Sequence, residues 1–75
     1  MAKLPRLSGK AMIQFLTSRG FLVLRIRGSH YFLESATHRT CVPVHANRVL
    51  KLGTLRSILR DIDLSPAEFL SEWSD

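Results

Sequence analysis

Negative charge is almost missing from the first sixty residues: Glu34 is their only acid, against all eleven Lys and Arg of the chain. A stretch so poor in acids attracts polyanions, and nucleic acid is the commonest polyanion in a cytosol. Cysteine is equally scarce. Cys41 stands alone, which excludes an internal disulfide and every C-x-x-C metal or redox signature. A chain of 75 residues with no such staple fits a reducing compartment. Long apolar runs are absent as well. "MAKLPRLSGKAMIQFL" is interrupted by Pro5, Arg6 and Lys10, so neither a signal peptide nor a membrane span is expected. The expected location is the cytoplasm, away from membranes. Three histidines, His30, His38 and His45, match no standard zinc spacing, and no cysteine or carboxylate pair completes a site; no metal or other cofactor is expected.

What is present suits one folded domain over residues 1–75. Hydrophobic residues make up 45% of the chain, and no repeat or low-complexity stretch appears. "LSGKAMIQFLTSRG" reads as a helix with Ser8 as N-cap, Met12, Ile13 and Leu16 on one stripe, and Gly20 as its left-handed stop. Ala11 stands where a capping-box Glu would, so that cap is incomplete. "FLVLRIR" and "SHYFLES" read as two strands with a tight turn near residues 27–29, made possible by Gly28. "TCVPVH" reads as a third strand, which Pro43 assigns to a sheet edge. "TLRSILRDI" predicts a helix capped by Thr54, with Leu55, Ile58, Leu59 and Ile62 as its apolar face. "SPAEFLSEW" predicts a short last helix with Ser65 as N-cap, Pro66 in its first turn and Glu68 closing a capping box. Phe69, Leu70 and Trp73 read as apolar cover for the core.

The expected fold is therefore α+β: helix, three-stranded antiparallel sheet, helix, with a short extra C-terminal helix. Helices on one side of such a sheet leave its other face open. Strand alternation separates His30, Phe32 and Glu34 from Tyr31 and Leu33, and Val42 and Val44 from Cys41, Pro43 and His45. If Tyr31, Leu33, Val42 and Val44 meet the helices, His30 and His45 face the open side. "FLVLRIR" is apolar at nearly every early position and does not fix its own register. The remaining acids, Asp61, Asp63, Glu68, Glu72 and Asp75, gather in the last fifteen residues, where they shield the basic surface or dock on a partner.

"RIRGSH" is the segment that carries chemistry. Imidazole exchanges a proton near neutral pH, which cleavage of RNA through its 2′-hydroxyl requires. Arg25 and Arg27 share strand parity and precede the turn, so two guanidinium forks project together toward a phosphate. Gly28 permits close backbone approach, and the amides and hydroxyl at Ser29 are donors for a phosphoryl oxygen. Lys10, His45 and Arg56 are further candidates for RNA or phosphate contacts. Each has a plainer reading: a turn histidine, a strand-end histidine, a solvated basic helix face. His38, beside Arg39 in a loop, reads as solvated. Phe32 is either core cover or an exposed ring for stacking a base.

Taken together, "SGKAMIQFL", "GF", "RIRGSH", "VPVH" and "GTLRSILRDIDLSPAEFL", in this order and spacing, resemble the HicA family of type II toxins, over about Ser8 to Leu70. The resemblance implies a fold like the double-stranded-RNA-binding domain. It implies a ribosome-independent mRNA endonuclease that needs no metal and arrests translation and growth. Its partners would be mRNA as substrate and a HicB-type antitoxin that occludes the active site in a toxin–antitoxin hetero-oligomer. The family's catalytic histidine falls on His30, and its preceding basic residues on Arg25 and Arg27. Tyr31, Ala11 and Val49 depart from the family pattern, at places where related sequences carry polar or acidic residues. The competing reading is a non-catalytic RNA-binding module of the same fold, which recognises duplex RNA by shape and phosphates. That module explains the charge and the topology but leaves His30 without a purpose.

Overall fold

The computed structural model describes residues 3–73; Asp75, one of the five acids of the C-terminal cluster, lies outside them. The elements run α1 (Gly9–Ser18), β1 (Leu22–Arg27), β2 (His30–Glu34), β3 (Arg39–Pro43), α2 (Leu52–Asp61) and α3 (Pro66–Glu72). The expected α+β order is the one observed. The strands form one antiparallel sheet in the order β1-β2-β3, with Pro43 on an edge strand where its missing N–H breaks no ladder. Among the described residues no helix is long and apolar enough to cross a membrane.

Local signals set most of the boundaries. The Ser8 hydroxyl caps α1 by accepting from the Ala11 amide at 3.1 Å. At its far end Gly20 (φ 94°) takes the left-handed position, and the Phe21 and Gly20 amides reach back to the Leu16 and Thr17 carbonyls. α2 ends in the same way, with Asp63 (φ 57°) in the place usually given to glycine, and the Leu64 and Asp63 amides bound to Leu59 and Arg60. α3 begins with the complete Ser65–Glu68 capping box and Pro66 in its first turn. The start of α2 differs from expectation. Lys51 is its N-cap and makes no side-chain capping bond, so Thr54 lies inside the helix and caps nothing.

The core lies between the sheet and the helices. Met12 and Leu16 of α1, Leu33 and Val42 of the sheet, Leu55, Ile58 and Leu59 of α2 and Phe69 of α3 are all essentially sealed from solvent. Each such side chain contributes roughly 1.5–3 kcal/mol through burial. Phe15, Phe69 and Trp73 close the far end as a ring cluster, with centroids 4.8 and 5.6 Å from Phe69. Leu33 and Val42 thus confirm the parity read from the sequence: they face the helices, and the other side of the sheet is bare. The helices pack on β3, whereas β1 is held by β2 and is exposed along its whole length.

Candidate functional site

The tip of the β1–β2 hairpin is a two-residue turn, Gly28–Ser29. Gly28 has φ 59° and Ser29 is not among the residues of positive φ, which is the sign pattern of a type II′ turn with glycine at its first central position. The Ser29 carbonyl accepts from the Val44 amide at 2.7 Å, tying the tip to the end of β3. Gly9, the first residue of α1, rests against the Pro43 carbonyl and Val44. The start of α1, with Lys10 exposed on its first turn, thereby shares one corner of the molecule with the turn and the end of β3.

Register does the rest. Arg27 pairs with His30 and Arg25 with Phe32, so both guanidinium stems stand on the open face beside the imidazole and the ring. The ladder slips between Val23 and Arg25, a bulge at Leu24 that the unbroken apolar run gave no means to foresee. Because the slip precedes Arg25, the shared parity of Arg25 and Arg27 survives. The Arg25 guanidinium lies 4.7 Å from the centroid of Phe32, a cation–π contact that holds one fork flat over the sheet. On the other side Pro43 pairs with His30 and Cys41 with Phe32. A depression of about 370 Å³ is lined by Leu24, Arg25, Phe32, Glu34 and Arg39, toward the end of the sheet away from the turn. It falls within the ~300–1,000 Å³ usual for ligand sites.

His30 is exposed, and its Nδ1 lies 3.7 Å from the Cys41 Sγ. Burial, with the nearby Asp61 carboxylate second, pushes the Cys41 thiol above its ordinary pKa, so it meets the imidazole as a neutral thiol. With Nδ1 turned to sulfur, Nε2 is the nitrogen left facing outward. The sequence put Cys41 on the open face by parity, but that it touches His30 was missed: only the sheet register brings them together. Arg39 is bound to Glu34 at 2.5 Å, and Arg19 to Glu72. Among the described residues neither Arg25 nor Arg27 is in an ion pair.

Three other polar side chains are placed by contacts of their own. β3 ends at Pro43, so strand parity does not reach His45 and the argument that aimed it at the open face fails. His45 instead lines a cavity of about 270 Å³ with Pro43, Arg48 and Thr54. Arg56 lines a groove of about 630 Å³ between Lys3–Arg6 and α2. It also lines one of about 390 Å³ with Arg60, Asp63 and Glu68, away from the sheet face. His38 Nδ1 is engaged by the Thr37 hydroxyl at 2.7 Å in the β2–β3 loop. No three His, Cys, Asp or Glu side chains converge on a metal position among the described residues.

A helix, a three-stranded antiparallel meander and a second helix, followed by a short third, make an α+β domain. The chain belongs to the HicA family: the model of that family, described as HicA toxin of bacterial toxin-antitoxin systems, matches residues 9–64, from the first residue of α1 to just beyond α2. Comparison with curated proteins gave no match, and comparison with solved structures gave none. Membership makes the chain a toxin-family protein and implies an antitoxin as its partner.

Proposed function

We propose that residues 1–75 act as one toxin domain, a metal-independent cytoplasmic endoribonuclease that cleaves mRNA, stops translation and growth, and is silenced by a HicB-type antitoxin. The observation that carries this reading is the register Arg27–His30 and Arg25–Phe32. It sets an exposed imidazole beside two arginines that have no ion-pair partner among the described residues, on the face away from the helices.

In this mechanism the outward Nε2 of His30 exchanges the proton of the reaction. Acting as base, it removes the proton from a ribose 2′-hydroxyl. The freed oxygen attacks phosphorus in line, and the bond from phosphorus to the leaving 5′-oxygen breaks. Arg25 and Arg27 hold the non-bridging oxygens, whose charge grows toward the transition state, and the amides at Gly28–Ser29 add donors from the turn. Lys10, at the same corner, draws the adjoining phosphate. One imidazole cannot be acid and base in a single step, so the leaving oxygen takes its proton from a second group: water, His45 or another donor. Phe32, half-buried under Arg25, offers its exposed part to a base. His45 and Arg56 serve the bound strand farther along, as tracking contacts.

The fold also fits a module that binds RNA without cutting it. Purified protein incubated with RNA in EDTA separates the two: fragments support the toxin reading. Intact RNA retained on a gel in a salt-sensitive manner identifies the binding module and refutes catalysis.

A further inference from the structure

β1 is the anomaly of this fold. All six of its residues are exposed, and four are large and apolar: Leu22 (70%), Val23 (39%), Leu24 (58%) and Ile26 (53%). It is also an edge strand with no helix behind it. β1 keeps two of the usual edge devices, the bulge at Leu24 and the charges of Arg25 and Arg27, but no proline or covering element, and its apolar side chains stay in solvent. The two-residue turn makes Arg27–His30 the first hydrogen-bonded pair, and Arg25–Phe32 the next. Ile26, between them, turns its amide and carbonyl outward, free to accept another strand.

Resting on the antitoxin partnership above, we propose that the antitoxin binds by adding a strand to β1, with acidic residues alternating with apolar ones. The alternation follows from the faces of β1. Side chains of an added strand beside Arg25 and Arg27 share the open face with His30, and acids there pair with two guanidiniums that form no ion pair among the described residues. Side chains beside Ile26 lie on the opposite face and cover its exposed surface. One strand therefore buries the apolar edge and removes the phosphate grip in the same act. A second copy of this chain is a poor occupant. β1 set antiparallel to itself brings Arg25 and Arg27 against the same two residues of the other copy, and like charges facing each other repel.

The test is hydrogen exchange at single amides, on the chain alone and co-purified with the antitoxin encoded by the adjacent reading frame. The Ile26 amide exchanges quickly in the free chain and at least a hundredfold more slowly in the complex. The double variant Leu22→Lys, Ile26→Lys keeps its circular dichroism and its RNA activity but binds the antitoxin at least tenfold more weakly. A complex that forms while Ile26 exchanges as in the free chain overturns strand addition and leaves the toxin reading standing. Failure of any complex to form refutes the partnership itself. A slow Ile26 amide in self-associated free chain assigns the edge to a second copy and also overturns the proposal.

Discussion

Replacing Gly9 by alanine puts a methyl group where α1 meets the end of β3. The new carbon would sit well inside van der Waals distance of the Pro43 carbonyl oxygen and 3.1 Å from the Val44 Cα. Both neighbours are backbone and have no rotamer to escape into, so the helix start or the strand end must move. Overpacking of this kind costs roughly 1–3 kcal/mol. Two contacts with backbone place Gly9→Ala in the upper part of that range, roughly 2–3 kcal/mol, and the better helix propensity of alanine returns about 1 kcal/mol, leaving a net loss of about 1–2 kcal/mol. For a domain of this size, each kcal/mol lowers Tm by roughly 4–8 °C, so a fall of about 4–16 °C is expected in thermal unfolding followed by circular dichroism. Because Val44 also holds the Ser29 carbonyl, the displacement reaches the turn beside His30, and RNA cleavage falls with stability. Gly53→Ala is the control. Nothing lies within 4 Å of its new methyl group in α2, and it gains up to about 1 kcal/mol. A Gly9→Ala protein as stable as the parent, or more so, refutes the close-approach argument.

Three further outcomes follow from particular contacts. Arg27→Ala, measured in a His30→Ala background to prevent cutting, flattens the dependence of RNA affinity on salt by roughly 0.7 in log–log slope, one phosphate contact on a single strand; an unchanged slope removes Arg27 from the phosphate grip. Phe69→Ala empties the sealed position between Phe15 and Trp73 and costs about 3–5 kcal/mol in urea unfolding, and a loss below about 1 kcal/mol contradicts the packing described. The Glu68 carboxyl is held below the usual glutamate range, first by the Ser65 backbone amide and then by the Ser65 hydroxyl. Its contribution to stability is therefore complete above the unfolded pKa of ~4.3 and is lost as pH falls through the lower folded value. In Ser65→Ala the titration of Glu68 followed by NMR moves upward, and an unmoved curve shows that the hydroxyl plays no part.

How much of this was legible depends on the range of the interaction concerned. Ser65-Pro66-x-Glu68 defines a helix start within four residues, and it formed as read. The inward placement of Leu33 and Val42 was one of two choices of face that parity allowed, and the burial of both selects it. β1 does not alternate, and its bulge at Leu24 and its bare apolar edge became visible only from the sheet. Thr54 was read as a cap because threonine favours that role, yet α2 starts two residues earlier at Leu52 without any side-chain cap. For His45 the fault was a strand drawn two residues too long. The closeness of Gly9 to Pro43 is a tertiary fact with no local signal. His30, Arg25 and Arg27 stood out because chemistry and parity agreed, whereas the Cys41 contact and the grooves that Arg56 lines needed coordinates.

The most direct measurement compares initial rates of RNA cleavage by the purified parent and His30→Ala proteins, in EDTA, with circular dichroism on both. Because the imidazole is exposed and its one polar contact is a thiol, the variant should keep its fold and melting temperature while losing at least the ~10²–10⁴-fold that a positioned acid–base group supplies. A folded His30→Ala protein that cuts RNA at the parental rate would contradict the account.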